Sequence, residues 1–177
     1  MSVRTPFRYV ALAVAAAFAT PLIASAATSG GTLTVTASIA QTCTVANQTL
    51  AFTAYNPTIG GAVDAMTNLS VVCTKGATNV YLDLGDGSNA GNCPGGAQRC
   101  MLGGTNGDYL NYQLYSDVGL SSIWGAGSPS GSNTGVAFGP FADSITPVSN
   151  TLYGEIAAGQ DASVDSYSDS VTETVNF

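Results

Sequence analysis

Four cysteines and eleven acidic residues carry most of the reactive chemistry of this 177-residue chain, and there is no histidine. Without imidazole, neither a Ser–His–Asp nor a Cys–His site can be assembled, and no G-x-S-x-G elbow occurs. Zinc fails on spacing, because Cys43, Cys73, Cys93 and Cys100 contain no C-x-x-C pair. The acids are scattered, mostly beside Gly, Ser or Asn. They read as solvated turn residues, not as the facing carboxylates of a glycosidase. "GDGSNA", residues 85–90, fits G-x-G-x-x-G/A, but the following "GNCPGG" cannot open the helix that a dinucleotide site needs, so a β-turn is expected. Asp83 and Asp86 lack the alternating acids and closing Glu of a calcium loop. Trp124 and the tyrosines would suit a sugar platform, although such residues more often pack cores and sheet faces. The Asn-x-Ser/Thr triplets at Asn47 and Asn68 matter only in a eukaryotic secretory route. No catalytic, cofactor-binding or metal-ligating residue is assigned, and the chain is expected not to be an enzyme.

The elements that would carry any other role begin with an export signal. Arg4 and Arg8 precede an apolar run that ends in Ala24-Ser25-Ala26, an A-x-A cleavage pattern, so residues 1–26 read as a signal peptide. The run is short, Ala-rich and interrupted by Pro21, which argues against a membrane anchor. Removing 26 of 177 residues leaves 151, enough for one domain with a core. In that remainder Lys75 and Arg99 face all eleven acids, a net charge of −9 that repels nucleic acid and anionic lipid. An even cysteine count in an exported chain implies two disulfides. Of three connectivities, Cys43–Cys73 with Cys93–Cys100 is favoured: the second pair closes the loop "CPGGAQRC" and the first would tie two strands together. The larger loop would contribute about 3–4 kcal/mol and the smaller about 2–3 kcal/mol.

Past the leader no stretch has helical periodicity. Short apolar runs alternate with turn residues in ten strand-like segments: "GGTLTVTASI", "TCTVAN", "LAFTAYN", "LSVVCT", "NVYLDL", "DYLNYQLYS", "SSIWG", "VAFGPF", "TLYGEIAAG" and the final "DSVTETVNF". "GDGSNAGNCPGG" is a long turn and "GAGSPSGSNTG" a flexible loop. The pattern predicts an all-β antiparallel sandwich with no second domain. In "DYLNYQLYS", Leu110, Tyr112 and Leu114 take the core side. Two segments are odd. In residues 32–39, Leu33, Val35, Ala37 and Ile39 alternate with Thr and Ser behind a Gly30-Gly31 leash: a buriable strand where a tail is expected. At the other end, Val171, Glu173, Val175 and Phe177 share one face of a last strand with no successor.

Together these features resemble the spore coat protein U family, which includes the archaic, Csu-type chaperone–usher pilins. The resemblance covers residues 31–177. It rests on an ordered set: "CTV" at Cys43; "LAFTAYNP" with Phe52, Tyr55 and Pro57; and "LSVVCTKG" with Cys73. These are followed by "RCMLGGTNGDYLNYQLYSD" with Arg99, Met101, Leu110, Tyr112, Leu114, Tyr115 and Asp117, and by "IWG" with Trp124. "LYGEIAAGQ" with Tyr153, Gly154 and Ile156, and the end "YSDSVTETVNF" with Tyr167 and Asp169, complete it. Three positions depart from the family's usual residues: Thr53 and Asp165 stand where Gly is usual, and Glu173 where an apolar residue is frequent.

The resemblance implies an incomplete immunoglobulin-like sandwich that lacks its last strand and is completed by a donated N-terminal strand. A periplasmic chaperone would first lend a strand, and an outer-membrane usher would exchange it for the N-terminal strand of the next subunit. The organisation so read is a signal peptide (1–26), a donor-strand extension (27–40) and a pilin domain (41–177). Leu33, Val35, Ala37 and Ile39 would fill the groove, and Val171, Val175 and Phe177 would form the acceptor edge. Elementary physics points the same way: an unpaired sheet edge over an open core is costly, and a free alternating strand complements it. Burying the four donor side chains would contribute on the order of 5–8 kcal/mol, and eight residues span about 26 Å. Head-to-tail contacts do not close, so copies of the chain would form a filament for surface attachment and biofilm, without nucleic acid or small-molecule substrate as partner. Two alternatives stand beside this reading: a spore-coat or cell-surface matrix protein, and a monomeric carbohydrate-binding module that uses Trp124 and exposed tyrosines.

Overall fold

The computed structural model describes residues 25, 27–125 and 135–177. All of the signal peptide except Ser25, and most of the "GAGSPSGSNTG" loop, lie outside the described residues. The chain divides into two compact units, Met1–Ala37 and Ser38–Phe177. No described residue of the first unit is in a strand.

Among the described residues nine strands build the second unit: β1 Cys43–Val45, β2 Val63–Cys73, β3 Val80–Leu84, β4 Arg99–Gly103, β5 Tyr109–Tyr115, β6 Val136–Phe138, β7 Val148–Ile156, β8 Tyr167–Ser168 and β9 Glu173–Asn176. The one helical element among the described residues is a 3₁₀ turn, Pro94–Gly96. All ladders are antiparallel. One sheet runs β1-β2-β7-β5-β4-β8 and the other β6-β3-β9, an immunoglobulin-like sandwich with six strands facing three.

Period-2 alternation sets the core. Leu69, Val71, Leu110, Tyr112, Leu114, Leu152 and Ile156 project from the larger sheet onto Val80, Leu82, Leu84 and Phe138 of the smaller. In β5, Leu110, Tyr112 and Leu114 are buried while Tyr109, Asn111, Gln113 and Tyr115 are only half-buried. Disulfides join Cys43 to Cys73, across the β1–β2 register, and Cys93 to Cys100.

Several expected strands take another form. Residues 32–39 enter no ladder, and Leu33, Val35 and Ile39 are 86%, 82% and 86% exposed. An alternating segment is a strand only when an edge offers it backbone partners. "LAFTAYN" is irregular for the same reason: residues 47–55 make no backbone–backbone hydrogen bond with any described residue. "SSIWG" contributes a single bridge, Ile123 to Tyr115. Conversely, β4 lies in a stretch that the alternation left unassigned, because its two ends, Arg99-Cys100 and Gly103, are buried around half-buried Met101 and Leu102.

Candidate functional site: an open apolar groove

"GDGSNA" forms no phosphate cradle. It is the turn leading out of β3, and its Gly87 packs so closely on Asp169 that a Cβ there would lie 2.1 Å from Oδ2. Asp83 accepts a hydrogen bond from the Leu84 amide, and Asp86 accepts one from Gln98 Nε2 at 2.6 Å. Trp124 corrects the sugar-platform reading. It is 1% exposed, and its indole N–H donates to Leu82 O at 2.9 Å, so it is a core residue that ties a loop to β3.

Among the described residues the sandwich opens a groove of about 790 Å³. Its floor is apolar: Leu69, Leu110, Leu114, Leu152 and Ile156, with Tyr112. One wall is the irregular segment 48–55, with Leu50 and Phe52 turned inward; the other runs from Ala162 to Glu173, through Tyr167 and Val171. The first wall presents backbone without a ladder; on the second, β8 pairs with β4, and Ser170 O and Thr172 O accept from the Ser88 and Gly85 amides, so the free edge there is that of β9. Residues 47–55 are unpaired, and among the described strands β9 pairs only with β3. Backbone without ladder partners beside an apolar floor is what a strand added from outside would pair with and cover.

Specific contacts hold the walls. Tyr55 Oη accepts from the Gln160 amide at 2.7 Å, while Gln160 donates through Nε2 to Asn111 O and accepts the Asn111 amide on Oε1. Gly154 makes room for the wall, since a Cβ there would meet Leu50 at 2.5 Å and Phe52 at 2.9 Å. On the far wall, Asp169 accepts from Ser88 N and Oγ, Asn89 Nδ2 and Tyr112 Oη. Burial and that carboxylate push the Tyr112 phenol up, so it is a permanent donor. Asp165 takes the amides of Thr105 and Asn106 at 2.7 and 2.9 Å, which hold its carboxyl below the usual range.

Of the residues read as acceptor edge, Val171 and Val175 are half-buried and pack on the core, while Phe177 lies just past β9 and is 56% exposed. Between them Glu173 points to the inner face. Its Oε2 is buried without a partner among the described residues, and burial raises its pKa. The groove floor and the 48–55 wall were not assigned from sequence. The floor's signal is the shared period-2 face of β2, β5 and β7; the wall has none beyond its own alternation. Arg99 was also missed as a structural centre. It is fully buried on β4, and its guanidinium donates to Leu84 O, Gly85 O and Trp124 O, joining the two sheets.

The family model described as the Spore Coat Protein U domain matches residues 29–174. The chain belongs to the spore coat protein U domain family. A curated relative, Protein U of Myxococcus xanthus, is 33% identical over 165 residues, which covers 87% of this chain and 88% of that one. Among solved structures, the chaperone–tip adhesion subunit pre-assembly complex CsuC–CsuE, from the archaic chaperone–usher Csu pili of Acinetobacter baumannii, aligns with a TM-score of 0.48. That alignment has 16% identity and covers 78% of this chain and 40% of the solved chain. The family match extends over the floor, both walls and the segment 32–39, and stops within β9.

Proposed function

We propose that this chain is a structural, non-enzymatic pilin of an archaic chaperone–usher fibre and that it polymerises by donor-strand exchange. Residues 32–39 of one copy occupy the groove of the next, between segment 48–55 and β9. The periplasmic chaperone holds the same groove beforehand, the outer-membrane usher carries out the exchange, and the product is a cell-surface fibre. Residues 1–26 are removed on export, 27–40 form the donor extension and 41–177 the pilin domain. The observation that carries this reading is the groove: an apolar floor between the ladderless segment 48–55 and the wall 162–173 that leads into edge strand β9, on a chain whose exposed N-terminal segment alternates with four apolar residues. The ordered residues shared with the archaic pilins support the chaperone and the usher as partners.

Deleting residues 27–39 from the full chain tests it. The shortened chain should be recovered with its chaperone and be absent from polymers as a donor. Ala37→Asp in the full chain should also abolish polymers, because a charge would enter an apolar groove. Polymer yields equal to the unmodified chain for both variants would reject the reading. The relationship to Protein U favours one other role, a coat or surface-matrix subunit with the same strand exchange. Immunogold labelling separates the two: extended fibres for the first, a continuous coat for the second.

A further inference from the structure

Resting on the donor-strand reading, we propose that Glu173 fixes the register of the incoming strand: it runs antiparallel to β9 with Ala37 directly opposite Glu173. The inner face of the acceptor edge reads Val171, Glu173, Val175, Phe177, three apolar residues and one polar. The donor face reads Leu33, Val35, Ala37, Ile39, three large residues and one small. Antiparallel pairing of Ala37 with Glu173 also sets Ile39 against Val171, and, along β9 beyond the groove lining that ends at Glu173, Val35 against Val175 and Leu33 against Phe177. The one small side chain meets the one carboxylate, and every large apolar residue meets an apolar partner.

Other alignments lose this match. A two-residue slip that puts Val35 on Glu173 moves Ile39 onto Asp169, whose carboxylate is held by Ser88, Asn89 and Tyr112. The parallel alignment that keeps Ala37 on Glu173 moves Leu33 onto Asp169. A slip that puts Ile39 on Glu173 packs a large apolar chain against a carboxyl oxygen that is already buried without a partner, and sets Ala37 against Val175 as a void. A slip by one residue turns the Thr/Ser face into the groove. Opposite Ala37, no large apolar side chain is forced onto the Glu173 carboxyl. Segment 28–39 has no charged residue, so no ion pair competes in setting the register.

The test is inter-chain disulfide trapping in assembled fibres. All four native cysteines are already paired, so added thiols report on themselves. Full-length Ala37→Cys chains co-assembled with Glu173→Cys chains should cross-link on oxidation. Val171→Cys or Val175→Cys partners should give about tenfold less product. A cross-link that prefers Val171→Cys or Val175→Cys overturns the register and leaves strand exchange standing. Fibres that cross-link at none of the three positions overturn both. Where a cysteine variant does not accumulate, a size-compensation pair decides. Ala37→Leu should lower fibre yield about tenfold, and Glu173→Ala in the same chain should restore it. Absence of rescue refutes the register.

Discussion

At the scale of single residues, the sandwich depends on polar side chains in unusual positions. Arg99 is one of two cations in residues 27–177, yet it is fully buried and spends its charge on three main-chain carbonyls. Its Nη1 also donates to Gln113, which donates to Gln98, which in turn donates to Asp86, so the charge is connected to a carboxylate through two amides. A planar fork serves acceptors on two segments at once; a single ammonium does not. Arg99→Lys therefore keeps the charge and loses the bridge between β3 and the Trp124 loop. The expected cost is about 2–3 kcal/mol of unfolding free energy, measured by urea titration. A loss below about 0.5 kcal/mol would mean that the bridge carries no stability. Sequence alone named Arg99 only as a motif residue. Its acceptors lie 14 to 25 positions away, and nothing local marks a cation for burial.

At the scale of elements, the informative segment is the wall formed by residues 48–55. Its alternation reads as a strand, but a strand needs a neighbour, and alternation says nothing about whether one exists. The same limit applies to residues 32–39. By contrast, β5, β7 and the second half of β2 were legible, because their apolar faces and their partners lie within one sheet, while residues 63–68 of β2 were not read as strand. Asp165, read from sequence as a departure from the resembled family, puts its carboxylate to use on the Thr105 and Asn106 amides, in the turn joining β4 to β5. Gly154 sets where the wall stands. Gly154→Ala would place a Cβ 2.5 Å from Leu50, so Leu50 and Phe52 must shift and the wall with them. We expect a loss of about 1–3 kcal/mol together with reduced fibre yield, and partial recovery of both in Gly154→Ala/Leu50→Ala. Additive losses in the double variant would show that the wall does not pack on Gly154.

At the scale of the whole molecule, charge and assembly oppose each other. Residues 27–177 carry eleven acids against Lys75 and the buried Arg99, so two copies approaching head to tail repel. Residues 32–39 carry no charged side chain and the groove floor is apolar, so burial of the strand gives salt little to act on. Salt should therefore act only on the approach. Raising ionic strength from about 10 mM to about 150 mM shortens the screening length from about 30 Å to about 8 Å. Polymerisation of chains lacking residues 1–26, followed by light scattering, should accelerate over that interval and then level off. An assembly built on pairing between opposite charges would slow instead. With Lys75 as the one exposed side-chain cation in 27–177, beside the amino terminus, this chain has little to offer such a contact. A rate that falls with salt would therefore place the contact between copies somewhere other than the groove.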